Sequence, residues 1–169
     1  DAGTVLAQGG LGEMSLNPRL RAIIGRDEIG AILDGTVLGH DPSGRLTRVR
    51  VGRGELNVQT PGLAAGAALR VQLLARDIII STHSPQYLSV RNSLSGIIIR
   101  IDDDADSDLV TIDIGGTPIM ARITKAATRE LALATGMQAW ALVKSVSLRG
   151  HSFATPTSSA ATSAASPDA

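Results

Sequence analysis

From Ile29 onward the chain is written in short apolar–polar alternations, broken about every eight to twelve residues by turn signals. This rhythm constrains the fold more than any other feature, because a period of two suits a half-buried strand and not a helix. In "LTRVRV" Thr47, Val49 and Val51 fall on one face, and Arg48 and Arg50 on the other. "GAILDGTVLGH" reads as a strand, "HDPSGR" as the turn after it, and "GELNVQT" as the next strand. "PGLAAGA" is a loop, followed by "LRVQLLARDIII", one longer apolar strand region. Then "RNSLSGIIIRI" runs into a solvated hairpin tip, "DDDADSD". "LVTIDIGGTPIMARI" is a hairpin turned at Gly115-Gly116, and "AWALVKSVSL" is the last strand. The best helical text is "TKAATRELAL", with Thr124 as its N-cap and Leu131 facing inward. The expected fold class is all-β with one short helix.

The alternating region divides into two lobes with a common plan. Each has several short strands, a loop ending in a glycine (Gly66 or Gly136), and a strand of the type "LRVQLLARD" or "AWALVKSVS". We expect lobes at 29–86 and 87–150, each a small β barrel. Lobes this small are marginal alone, so lobe-on-lobe or chain-on-chain packing should supply the missing burial. Aromatics make up only 2 % of the chain against 43 % hydrophobic residues, so the core must be built from Val, Ile, Leu and Ala. Residues 1–28 include a short strand near Thr4–Ala7 and a helix-like "LGEMSL", and are expected to be the remnant of a preceding domain and linker. The segment 151–169 is almost wholly Ala, Thr, Ser and Pro past its first residues, and is expected to be disordered.

Composition excludes several classes of chemistry. Sixteen basic and sixteen acidic residues cancel, which gives no electrostatic case for nucleic acid or an anionic membrane. There is no cysteine, hence no disulfide, thiolate nucleophile or cysteine zinc site. No apolar run approaches the length of a spanning helix, so no direct membrane insertion is expected. Arg45, Arg48, Arg50 and Arg53 form a basic hairpin, but only Tyr87, Trp140 and Phe153 could stack on bases. Asp102, Asp104 and Asp106 mimic the start of a calcium loop, yet Ser107 stands where the turn glycine belongs. His40, His83 and His151 have no second ligand at metal spacing. No catalytic motif is convincing, and the Gly-rich phosphate loop of an ATPase is absent. The expectation is a chain with no catalytic and no metal site.

One constellation stands out. "SVRNSLSG" puts Ser89, Arg91 and Asn92 at the start of a strand, and "KSVS" puts Lys144 and Ser145 in the last one. A guanidinium, an ammonium and several hydroxyls would suit a small tetrahedral oxyanion. Solvated rim charges with a turn-stabilising Asn92 are the competing reading.

"SVRNSLSGIIIRI", "ITKAATRELAL" and "WALVKSVSL", taken together, resemble the molybdate-binding Mop (molbindin) domain of the TOBE group. The text before them, beginning with "DAGTVLAQGGLGEM", is similar to the ATP-binding subunit of molybdate ABC transporters, so the resemblance covers residues 1–150. It implies OB-like five-stranded barrels that hold molybdate or tungstate between barrels, usually across a homodimer. It also implies a cytoplasmic location, peripheral to the inner membrane through the transporter's membrane subunits. ATP and magnesium would belong only to the upstream domain. Carried over by position, Ser89, Arg91, Asn92, Lys144 and Ser145 fall on the family's oxyanion motifs. Thr124 heads its Thr-x-x-Ser motif, whose serine is replaced here by Ala127. That departure keeps open a structural dimerisation domain that has lost its ligand. A free-standing molybdate store is the other alternative.

Overall fold

The structure, a computed structural model, describes residues 29–60, 62–145 and 148–152. The strand and helix expected within residues 1–28, and the tail from 153 onward, lie outside the described residues.

Among the described residues, ten strands and one α-helix follow in order: β1 (Gly30–His40), β2 (Thr47–Val51), β3 (Gly54–Val58), β4 (Ala68–Leu74), β5 (Ile79–Ser81), β6 (Asn92–Asp104), β7 (Ser107–Asp113), β8 (Pro118–Thr124), α1 (Lys125–Glu130), β9 (Gln138–Val143) and β10 (Arg149–Ser152). The alternation drawn from "LTRVRV" holds: Thr47, Val49 and Val51 are buried while Arg48 and Arg50 are exposed. The fold is all-β with one short helix, in two antiparallel five-stranded sheets of OB-like character.

The halves share one design down to single hydrogen bonds. Val37 donates its N–H to the Ala67 carbonyl and accepts from Gly66; Ile98 donates to Met137 and accepts from Gly136. Gly66 and Gly136 sit at φ +86° and +91°, where a side chain would be strained. The long first strand of each half is bulged just past this clasp, between Val37 and Gly39 and between Ile98 and Arg100. The extra residue bends each strand so that its sheet can curl.

Strand order reads β10-β4-β1-β2-β3 in the first sheet and β5-β9-β6-β7-β8 in the second. Each sheet therefore takes one of its two edge strands from the other half. The boundary expected between residues 86 and 87 does not coincide with sheet membership. "LRVQLLARDIII" is two strands in different sheets, because a 3-10 turn at Ala75–Asp77 carries the chain across. The strand expected in "AWALVKSVSL" ends at Val143, and a further strand, β10, runs from Arg149 through Ser152, two residues past the expected end of the fold. Pattern alone could not place these crossings, since an apolar run does not reveal which sheet receives it.

The core draws on both sheets, with Val49, Leu56, Val71, Ile98, Ile112 and Ile119 among its inaccessible members. Each such side chain contributes about 1.5–3 kcal/mol of hydrophobic stabilisation. A second, smaller cluster joins Ile29, just ahead of β1, and Ala75, at the first crossing, to Leu109 and Met120 on β7 and β8. Strand β7 is thus buried on both faces.

Thr111 shares the face of Leu109 by alternation, and its buried hydroxyl has no hydrogen-bond partner. Replacing it with valine removes an unpaired polar group at nearly constant shape. Thr111→Val should therefore raise stability by about 1 kcal/mol in denaturant unfolding. A lower midpoint would mean that the hydroxyl is satisfied.

Candidate functional site

The start of β6 and the end of β9 are hydrogen-bonded neighbours, with Asn92 opposite Val143. One residue beyond that pair on each side come Arg91 and Lys144. The antiparallel register thus sets a guanidinium beside an ammonium where both strands leave the sheet, and both side chains are exposed. Lys144 is at a strand end, the position in which a lysine can follow two apolar residues without being buried.

Asn92 fixes this arrangement. It is 1 % exposed, and its carboxamide pairs with the backbone of Asn57 on β3, the edge strand of the other sheet. Asn57 N–H donates to Asn92 Oδ1 at 2.6 Å, and Asn92 Nδ2 donates to the Asn57 carbonyl at 3.2 Å. The side chain thereby acts as one more residue of strand pairing along an otherwise open edge. Its second amide hydrogen goes to Ser145 Oγ at 3.3 Å, linking residues 53 apart in sequence. Asn57 Nδ2 returns a bond to the Arg91 carbonyl at 3.2 Å. With both amide hydrogens spent on protein acceptors, Asn92 positions Arg91 and Ser145.

A pocket of about 500 Å³ opens over these groups. Ser89, Arg91, Lys144 and Ser145 line one side, so four of the six residues expected from sequence come together. The other side belongs to the first sheet: the β1–β2 turn supplies Asp41, Ser43, Arg45 and Leu46, and Gln59 follows β3. Sequence reading placed Arg45 only in a basic hairpin. No local motif distinguishes it from Arg48, because its place in the same pocket as Lys144 is set by packing between sheets.

The β1–β2 turn is tied down by its own carboxylate. Asp41 accepts from the Ser43 hydroxyl, from Leu46 N–H at 2.6 Å and from Ser43 N–H at 3.2 Å. Main-chain bonds from Asp41 N–H to Leu46 and from Gly44 N–H to Asp41 close the loop. The Ser43 hydroxyl, followed by the Leu46 N–H, holds the Asp41 pKa down at about 2. Asp41 is therefore ionised at neutral pH, with its oxygens turned to the turn's own donors.

Thr124 is not in this pocket. It pairs with Ser107, which in turn pairs with Asp104, at the opposite end of the 13-residue β6 from Asn92. Its hydroxyl caps α1 by accepting from Ala127 N–H at 3.2 Å, so the expected N-cap is present. Thr128, next to Ala127, donates its hydroxyl to the Thr124 carbonyl at 3.4 Å.

The acidic hairpin has a structural part to play. Asp103 pairs with Lys125, Asp104 with Arg122 at 2.5 Å, and Asp102 with Arg100 at 3.0 Å. The hydrogen bond that the Lys125 ammonium donates to Asp103, outweighing desolvation, raises the Lys125 pKa. No group of three or more metal-ligating side chains occurs among the described residues. No helix there is long and apolar enough to cross a membrane.

Asn92→Ala would strand the Asn57 N–H and carbonyl at the sheet junction. The expected loss is about 2–4 kcal/mol in chemical unfolding, two unsatisfied groups' worth. An unchanged midpoint would show that the two sheets do not depend on this side chain.

Comparison with known proteins follows the same lines. The TOBE domain model matches residues 88–149. Molybdenum import ATP-binding protein ModC 2 of Azotobacter vinelandii is 38 % identical over 150 residues, 88 % of this chain and 42 % of that protein. The ModC protein of Saccharophagus degradans is 34 % identical, with the same two shares. The chain thus spans less than half the length of these relatives. Among solved structures, the cytoplasmic molybdate-binding protein ModG with molybdate bound superposes with a TM-score of 0.63 and 27 % identity, covering 70 % of this chain and 93 % of ModG. Residues 88–149 thus match the TOBE domain, in a chain that is similar over 88 % of its length to the C-terminal region of molybdenum import ATP-binding proteins.

Proposed function

We propose that the chain binds molybdate or tungstate between its two sheets, as the regulatory oxyanion sensor of a molybdate import ABC transporter's ATP-binding protein. The observation that carries this reading is the convergence of Ser89, Arg91, Lys144 and Ser145 on one pocket from two distant stretches of sequence. Arg91 offers a planar fork of donors and Lys144 a mobile point charge, and the serine hydroxyls can donate to the remaining oxygens. Asn92 supports the site from behind. The molybdate named for ModG and the molybdenum named for the ModC proteins supply the ligand class. The domain itself carries out no catalysis in this reading; ATP and magnesium act in the ATPase domain of the parent protein.

Thr124 enters through a second copy of the chain, since within one chain it stands at the far end of the sheet from Lys144. Exposed aliphatic and aromatic side chains at Ile79, Tyr87, Leu88, Ile97 and Ile99 give a homodimer apolar surface to cover. An oxyanion gathered between facing elements favours one dimer arrangement, and through the parent protein at the cytoplasmic face would shift the transporter toward a resting state. The same exposed surface also supports the rival reading, a dimerisation domain that has lost its ligand, to which Ala127 lends weight.

Calorimetry of the whole chain with molybdate, tungstate and sulfate separates the two. Binding of molybdate, weakened about tenfold or more in Arg91→Ala, is the expected result. Undetectable heat with molybdate and tungstate, or equal affinity in Arg91→Ala, would leave the dimerisation reading in its place.

A further inference from the structure

The far wall of the pocket is where the structure says more than the motifs do. Arg45 lines the same pocket as Arg91 and Lys144, and the first sheet carries it on a turn that Asp41 ties down through both carboxylate oxygens. We infer that Arg45 is the third cation of the oxyanion site, so that one bound dianion bridges the two sheets of a single chain. This deepens the oxyanion-binding reading and rests on it.

Three observations carry the inference. The first is charge: Arg45, Arg91 and Lys144 against the single carboxylate of Asp41 leave the pocket two positive charges in excess, the complement of a divalent oxyanion. Asp41 does not cancel a cation by pairing with it, because its oxygens face the Ser43 and Leu46 donors. The second is preorganisation. The bonds within residues 41–46 fix the backbone from which Arg45 projects, so little loop order is lost when a ligand arrives. The third is the contrast between the two crossings. Where the first half crosses after β4, Ala75 is sealed with Ile29 against Leu109 and Met120 in an apolar cluster. Where the second half crosses after β9, the corresponding junction holds Lys144 and Ser145 facing a polar turn and an open pocket. Equivalent places in a repeated fold are filled in one case and left open and cationic in the other. An anion at the second place would do for the two sheets what the apolar cluster does at the first.

The test uses the whole chain and inorganic molybdate, with Arg45→Ala, Arg91→Ala and Arg48→Ala compared by calorimetry. Arg48 is an exposed arginine of the same hairpin that does not line the pocket, so it reports the loss of a positive charge alone. Arg45→Ala should weaken molybdate binding about tenfold or more, the effect of losing a charge-assisted contact, while Arg48→Ala changes it less than about twofold. Molybdate should also slow amide exchange at Asp41 and Leu46 in the unaltered chain, and not in Arg45→Ala. If Arg45→Ala binds as the unaltered chain does while Arg91→Ala does not, the cross-sheet role is wrong and the site stands. Equal losses in Arg45→Ala and Arg48→Ala would also overturn it, in favour of a general field. Absence of binding in the unaltered chain removes both the site and the bridge.

Discussion

Everything in this molecule depends on the exchange of edge strands between its two halves. A five-stranded sheet built from one half alone would lack its last strand, and each half supplies that strand to the other: β5 to the second sheet, β10 to the first. The two crossings force the sheets into contact and place both junctions where polypeptide leaves one sheet for the other. A small barrel with few aromatics has little core of its own, and sharing strands turns two marginal units into one hydrophobic core.

The exchange also explains why the candidate site lies where it does. A crossing exposes backbone and side chains at a strand end, next to the neighbouring sheet. At the first crossing apolar residues close the gap. At the second, Asn92 closes only part of it, by pairing with the edge of β3 and reaching back to Ser145. What remains open is lined by cations from both sheets. The polar junction is held by hydrogen bonds with defined partners, so it keeps its shape without filling its own pocket.

Strands were legible in the sequence wherever a period of two met turn residues. "GAILDGTVLGH" is β1 to the residue, and Gly66 and Gly136, picked out as repeated loop ends, close equivalent clasps. Connectivity was not legible. "LRVQLLARDIII" looks like one strand because nothing in its apolar run marks the turn at Ala75–Asp77 as a passage between sheets. The site was half legible for the same reason. Ser89, Arg91, Lys144 and Ser145 sit in recognisable local motifs, whereas Arg45 owes its place to packing between halves. Asn92 was found by its motif, but its dependence on Asn57 is a long-range fact. Thr124 is legible as a cap, whereas its distance from the pocket follows from the length of β6, which no local motif encodes.

In the function proposed above, the polar crossing between the exchanged sheets holds the oxyanion. Crystals of the chain grown with tungstate would test it most directly, through the anomalous scattering of the bound metal. The expected result is a dominant peak within hydrogen-bonding reach of Arg91, Lys144 and Ser145, with the β1–β2 turn on its other side. A dominant peak elsewhere on the chain, with that pocket empty, would contradict it.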